Sequence, residues 1–368
     1  VTPRDLWATV RPRVLVFDPA LFLLLSLLAA TSLLTMYSAA ADFDGRFQAH
    51  LRNMVLSFAV MWVAANFNLT WLQRGAVPLF LLGLVLLIAV ALFGDVSKGA
   101  RRWLNIGLTR IQPSELLKIA MPLMLAWYFQ RREGALTSVD FMVAALLLMI
   151  PTLLIARQPD LGTSILVLAS GVYIIFFAGL RWKIIFALLA AAIAAMPLLW
   201  SVMHDYQRQR VLTLLDPTLD PLGKGFHIIQ STIAVGSGGL FGKGWMQGTQ
   251  THLEFIPERT TDFIFAVFAE EFGLMGGLGL LLLYFLIFSR GFMIAANGPT
   301  LFARLLGGAL TMMFFTYAFV NMGMVTGILP VVGVPLPWMS YGGTAMVTLG
   351  LGAGLLMSIS RQRKLMQS

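Results

Sequence analysis

Apolar side chains in this chain come in runs, not in alternation and not in one-sided stripes. A stretch such as LFLLLSLLAATSLL neither alternates like a half-buried strand nor carries the polar face of a surface helix. A helix needs about 20 mostly apolar residues to cross a bilayer core. Ten stretches meet that length: roughly 18–40, 50–67, 75–94, 113–130, 138–156, 161–179, 183–203, 263–289, 301–326 and 338–359. The breaks between them are polar or rich in Gly and Pro, as helix ends should be. A membrane barrel would show short alternating strands instead. The pattern predicts an all-α integral membrane protein of about ten transmembrane helices, one polytopic domain over 1–368. A single long extracytoplasmic loop, about 204–262, precedes span eight. The first run is too long for a cleavable signal peptide and lacks a small-residue cleavage site. Its upstream segment 1–17 sets Trp and Val among Arg, as an interfacial anchor does.

Composition agrees with that class. Hydrophobic residues make up 58% and charged residues 12% of the chain. Soluble domains carry about twice that charge, so a soluble enzyme and a disordered chain are both excluded. The net charge of +9 becomes informative once it is placed. With the N-terminus cytoplasmic, ten spans return the C-terminus to the same side. Arg4, Arg11, Arg13, Arg74, Arg131, Arg132, Arg181, Lys183, Arg290, Arg304, Arg361, Arg363 and Lys364 then face the cytoplasm, as the distribution of Lys and Arg demands. There they meet anionic membrane lipids, and no nucleic acid is needed to explain them. The absence of cysteine excludes disulfides, Cys zinc sites and thiol chemistry.

The outside segments break the rule, and there the chemistry concentrates. Loop 95–112 holds Lys98, Arg101, Arg102 and Arg110 against one acid. Either lipid headgroups or an anionic ligand such as a diphosphate, gripped by forked Arg donors, would suit it. Glu115 and Lys118 follow three apart at the start of span four, so they share a face. A structural ion pair and the lining of a polar cavity both fit. If the helix extended back to Arg110, that side chain would line the same groove. Asp160, followed by Thr163, suits a helix N-cap or a charge partner for Lys118 or an outside Arg. The stretch HLEFIPERTTDFIFAVFAEEFG sets Glu254, Glu258, Arg259 and Asp262 against span eight, with Glu270 and Glu271 inside it. Asp262 is either an N-cap or an acid of the first helical turn, favoured by the dipole, or a general base at the membrane rim. Glu270 and Glu271 cannot both face one cavity, so at least one should cap a neighbouring helix or pair with a cation.

Other signals fail. The run 236–244, GSGGLFGKG, misses the phosphate-loop pattern, with Ser237 where Gly is required and Gly244 where Ser or Thr is required. It is a turn-rich loop. The histidines are scattered without paired spacing, which disfavours a His-based zinc site.

Four ordered motifs, PSELLKIA (113–120), QPDLGTSIL (158–166), FIPERTTDFIFAVFAEEFG (255–273) and GILPVVGVPLPWMSYGGTAM (327–346), resemble the SEDS proteins of shape, elongation, division and sporulation. The likeness covers essentially the whole chain and is nearer the elongation branch, RodA, than the division branch, FtsW. It implies a peptidoglycan glycosyltransferase at the outer face of the cytoplasmic (inner) membrane, with its active site facing the periplasm. The substrate would be lipid II, a disaccharide-pentapeptide on undecaprenyl diphosphate. The partner would be a class B penicillin-binding protein, a transpeptidase, met along spans eight and nine. By motif, Asp262 matches the essential aspartate. Arg110 and Lys118 match the basic pair around span four, and Glu115 and Asp160 match acidic positions of the same groove. Arg102 is a further candidate for the diphosphate. A divalent cation, Mg or Mn, could share that task, although no dedicated ligand set is readable. A lipid II flippase without chemistry, and a scaffold for the partner, remain alternatives.

Overall fold

The computed structural model describes residues 16–97, 100–105, 110–158, 160–203, 205–220, 223–253, 255–256 and 258–367. Apart from Val16 and Phe17, the predicted anchor 1–17 lies outside them. The described chain is almost entirely helical. Each of the ten apolar stretches carries a helix: α1 (Pro19–Ala39), α2 (Arg46–Ala65), α3 (Leu69–Phe93), α4 (Pro113–Arg131), α5 (Ser138–Arg157), α6 (Leu161–Phe177), then α7 (Trp182–Ala194) with α8 (Met196–Val202). After the long connection follow α12 (Ile264–Ala296), α13 (Leu301–Val325) and α14 (Gly343–Gln367). Six helices are long and apolar enough to cross a membrane: α1, α3, α5, α12, α13 and the first part of α14. The pair α7–α8, bent by 44°, makes a seventh if it is one span. The other three fall short for visible reasons. α6 has 17 residues, α4 carries Glu115 and Lys118, and α2 carries Arg46, His50 and Arg52.

Burial sorts the helices into an inside and an outside. α4 is buried on nearly all sides, from Pro113 to Phe129, and α13 is buried over most of its length. α7 buries no residue at all. α3 and α12 present long apolar faces, including Leu92, Phe93, Leu282 and Phe285, to the surroundings. Such faces call for lipid or a partner helix to cover them.

The tightest pairing is α14 against α2. On α2 the buried residues His50, Met54, Ser57, Met61 and Ala64 recur at helical spacing and form one stripe. Opposite them, Gly350 and Gly354 bring α14 so near that an added Cβ would lie 2.5 Å from the Ser57 carbonyl oxygen and 2.4 Å from that of Met61. Small residues four apart allow this approach of two membrane helices. Gly354→Val is therefore expected to lower the melting temperature of the purified protein, at a cost of about 1–3 kcal/mol for overpacking. An unchanged thermal unfolding curve would contradict this packing.

At one end of the bundle a buried acid clamps three helices. Asp18 caps α1 through Leu21 N–H (3.1 Å). It takes a forked pair from Arg290 of α12 at 2.9 and 2.7 Å and a bond from Ser360 of α14 (3.0 Å).

Two of the connecting segments hold regular structure. In loop 95–112, β1 (Asp95–Ser97), β2 (Ala100–Asn105) and β3 (Arg110–Ile111) form a small antiparallel sheet in the order β1-β2-β3. β1 and β2 pair antiparallel, with Ser97 opposite Ala100. The segment 204–262 is likewise mostly helical. It contains α9 (Asp205–Leu215), α10 (Lys224–Ser237) and the one-turn α11 (Thr249–His252). α10 is amphipathic as its sequence suggests, but its buried Ile228, Ser231 and Ala234 pack on protein. Ser231 Oγ donates to the Val325 carbonyl at the end of α13 (2.9 Å).

Candidate functional site

α4 starts at Pro113, whose fixed φ and missing N–H suit a first helical turn. Glu115 in that turn faces the positive end of the helix. Three residues on, Lys118 Nζ donates to Glu115 Oε1 at 2.6 Å. The pair is enclosed, with Lys118 only 3% exposed. Thr348 of α14 donates to Glu115 Oε2 (3.1 Å). The Lys118 ammonium lies 5.3 Å from the Tyr317 ring centroid on α13. A charge withdrawn from water requires such compensation. Of the two readings left open for this pair, the ion pair is present, and it lines a junction of α4, α13 and α14.

Asp160 is the N-cap of α6, its Oδ1 accepting from Thr163 N–H (3.2 Å). Its Oδ2 takes Gln112 Nε2 (2.9 Å), which ties α6 to the residue before α4. The capping reading of Asp160 is thus present in the structure. One step on, Gly162 packs against backbone: an added Cβ would stand 3.0 Å from the Val332 carbonyl oxygen. Gly333 next to it has φ +75°, which favours glycine. A Cβ there would meet Asp262 Oδ2 at 3.3 Å. The 332–334 backbone thus approaches both the start of α6 and Asp262.

Asp262 lies one residue ahead of the N-cap of α12, which is Phe263; it does not hold the capping position. Its backbone is fixed by Asn321 of α13, whose Nδ2 donates to the Asp262 carbonyl (2.8 Å) and to that of Val334 (2.7 Å). Tyr317 and Asn321 are four apart on α13 and share one face. One lies against Lys118 and the other holds Asp262. Tyr317 and Asn321 stand about 6 Å apart along that face by rise, so Lys118 and the Asp262 backbone meet α13 at successive turns.

The basic candidates lie on the small sheet. Arg102 is half-buried on β2. Arg110 pairs with Asn105 in the β2–β3 ladder, and its side chain lies outside the described residues. Because Arg110 is in a strand, the idea that α4 extends back to it does not hold. The route from Arg110 to Lys118 is a strand end followed by two helical turns.

Arg259, read from the stretch before span eight, is joined by Arg46, which the sequence did not single out; both contact the segment around Phe43. Arg259 is buried, bonds the Ala39 carbonyl (3.0 Å) and Asp42 (2.7 Å), and lies over Phe43. Arg46 lies over Phe43 and Tyr341, and its Nη1 donates to Thr260 Oγ1 (2.8 Å). Glu258 accepts from Thr261 (2.8 Å), and Glu254 lies outside the described residues.

The adjacent glutamates diverge, as expected from their spacing. Glu270 accepts from Lys243 Nζ (2.7 Å) and from the N–H of Gln250 (3.0 Å) and Thr251 (3.3 Å), so it both pairs with a cation and caps α11. Glu271 accepts from Ser38 Oγ and from Met246 N–H. Behind them α12 is broken at Gly273, where φ is +65°. The glycine-rich run fills that break. Leu274 N–H donates to the Gly239 carbonyl, and Lys243 and Gly244 N–H donate to those of Glu270 and Glu271. A Cβ on Gly242 would fall 2.0 Å from the Glu271 carbonyl oxygen. The glycines are thus needed for backbone contact, which completes a broken helix. Among the described residues no three His, Asp or Glu converge as metal ligands.

With this geometry in place, likeness to known proteins can be assessed. Residues 13–365 match the model of the family FTSW_RODA_SPOVE, described as cell cycle protein. The chain is 50% identical over 350 residues to the peptidoglycan glycosyltransferase MrdB of Escherichia coli (strain K12), covering 95% of each. It is 36% identical to the stage V sporulation protein E of Bacillus subtilis (strain 168), covering 94% of this chain and 97% of the other. Its fold superimposes on a chain of a peptidoglycan synthase complex that coordinates polymerization and crosslinking, with a TM-score of 0.82 at 34% identity, over 95% of this chain and 99% of that one. The rod shape determining protein RodA of Thermus thermophilus is matched at a TM-score of 0.71 and 29% identity, over 95% and 98%.

Proposed function

The chain belongs to the FTSW_RODA_SPOVE family of cell cycle proteins, as a multi-pass bacterial membrane protein and elongation-type peptidoglycan glycosyltransferase, and we propose how its site performs that reaction. The substrate is lipid II. Asp262 accepts the proton of the acceptor sugar 4-hydroxyl as its oxygen forms a bond to the donor's anomeric carbon. The bond from that carbon to the diphosphate breaks, and undecaprenyl diphosphate leaves with the electron pair. One displacement of an α-linked diphosphate inverts the centre and yields the β-1,4 link directly, so a single carboxylate suffices. A positioned base contributes about 10²–10⁴-fold.

Charge builds on the leaving diphosphate, and fixed cations stabilise it there. Arg110 and Arg102, on the sheet that leads into α4, and Lys118, on its second turn, take that role. Glu115 holds Lys118, and Asp160 fixes the start of α6 against Gln112. A divalent cation, Mg or Mn, would be carried chiefly by the diphosphate itself, since the described residues offer no ligand cluster. No step is routed through it.

The observation that carries this reading is the shared face of α13, with Tyr317 on Lys118 and Asn321 on Asp262. The topology that goes with it has ten spans in one membrane domain and both termini in the cytoplasm. The site then faces the periplasm at the outer leaflet of the inner membrane. An apolar groove of about 420 Å³ between α12 and α13, lined by Phe265, Phe285, Phe288, Phe315 and Phe319, suits the membrane helix of a class B penicillin-binding protein.

Purified protein with that partner, given lipid II, should build glycan polymer that resolves as a ladder on a gel and disappears with muramidase. No polymer, together with rapid dithionite quenching of labelled lipid in vesicles, would assign the protein to flipping instead.

A further inference from the structure

The groups used above lie at one end of the bundle, and a second built cavity lies at the other. α3 and α4 are antiparallel neighbours that touch closely midway, where an added Cβ on Gly83 would stand 2.9 Å from Leu117. Towards the start of α3 and the end of α4 they part. There they leave a cavity of about 270 Å³ lined by Thr70, Gln73 and Arg74 of α3 and by Trp127, Gln130 and Arg131 of α4. Each guanidinium is set over an indole of its own helix: Arg74 is 6.0 Å from the Trp71 ring centroid and Arg131 is 5.5 Å from that of Trp127. Tryptophan at a helix end marks the level of the lipid headgroups.

Neither arginine has a carboxylate partner among the described residues, although acids are close in sequence. Glu133 is engaged by Gln130 Nε2 (2.8 Å) and Arg304 (3.9 Å). Asp140 is engaged by Arg132 (3.5 Å), Tyr128 and Thr137. Gln130 is held in place a second time, its Oε1 accepting from Phe302 N–H of α13 (2.7 Å). The acids are thus spent on other cations, and two like charges are left at one cavity. Such a pair repels unless an anion joins it.

We propose that this cavity is a binding site for the phosphodiester headgroup of an anionic phospholipid, phosphatidylglycerol or cardiolipin. Arg74 and Arg131 would fork its phosphate oxygens, Thr70, Gln73 and Gln130 would bond the glycerol, and the acyl chains would run along the apolar faces of α3 and α4. A basic pocket between helices on the cytoplasmic side is the arrangement that selects such headgroups. The site is separate from the proposed catalytic groove, so it stands or falls independently of that reading.

The test uses full-length protein purified in detergent, stripped of lipid and titrated with phosphatidylglycerol, cardiolipin or phosphatidylethanolamine. Native mass spectrometry reads the bound lipid and thermal unfolding reads stability. The wild type should hold one anionic lipid at least about tenfold more tightly than the zwitterionic one, a difference of about 1.4 kcal/mol, and unfold at a higher temperature with it. Arg74→Gln/Arg131→Gln should lose that preference, whereas Arg181→Gln, which removes a cationic side chain from the same predicted side outside the cavity, should keep it. Equal preference in the double variant would overturn the proposal, as would an equal loss in Arg181→Gln. So would a stabilisation reproduced by inorganic phosphate alone.

Discussion

Asp262→Asn is expected to reduce polymerisation of lipid II by about 10³-fold or more, with folding and lipid II binding unchanged. The amide keeps the size and shape of the carboxylate but cannot accept the hydroxyl proton, so only the base is removed. The backbone anchor of this residue survives the exchange. Asn321 bonds its backbone carbonyl rather than its side chain, and Phe263, not Asp262, stands at the N-cap of α12. Thermal unfolding of the variant should therefore overlay that of the wild type, and its partner complex should still assemble. Steady-state polymer yield on gels, at saturating lipid II, checks the rate. Glycan made at near-normal rates would remove Asp262 from the chemistry. A large drop in melting temperature would instead show that the carboxylate supports the fold.

The helical part of this architecture was legible because membrane spans report themselves locally. About twenty apolar residues between polar breaks suffice, and all ten stretches carry helix. What escaped was structure decided by partners far along the chain. The small sheet is not legible because its short strands carry Arg101, Arg102 and Arg110, whose charge masks any strand pattern. Glu115 and Lys118 could be paired from their spacing of three. Their supports Tyr317 and Thr348 could not, since they lie about 200 residues away. Asn321 sits in an apolar helix, and nothing local tells a buried amide that clamps two carbonyls from a polar residue facing a pore. Glu270 and Glu271 were correctly expected to diverge, but their partners in 243–251 depend on a break at Gly273 that a glycine in a membrane helix does not by itself announce. The same break explains the glycine-rich run, whose packing role depends on that distant contact.

Lys118 carries the second large expectation, because its enclosure gives one side chain two roles that substitution can separate. Removing the ammonium alone, as in Lys118→Met, leaves Glu115 charged and mostly enclosed, with Thr348 still donating to it. Breaking a buried pair in this way costs about 3–5 kcal/mol. Polymerisation should fall by about 10²–10³-fold, as for loss of a cation that meets charge in the transition state. Glu115→Gln should be similarly unstable, with Lys118 left unmatched over Tyr317. The double variant Glu115→Gln/Lys118→Met removes both charges and should regain most of the lost stability, since a neutral filling of the same space avoids the desolvation cost. If Lys118 also serves the diphosphate, activity will stay low in that stable double variant. Recovery of polymerisation along with the melting temperature would reduce the pair to a structural tie between α4 and α14. The leaving group would then rest on the arginines of the small sheet alone. Melting curves and gel-based polymer yields on the two single variants and the double variant decide between these outcomes, because a purely structural pair must restore both quantities together.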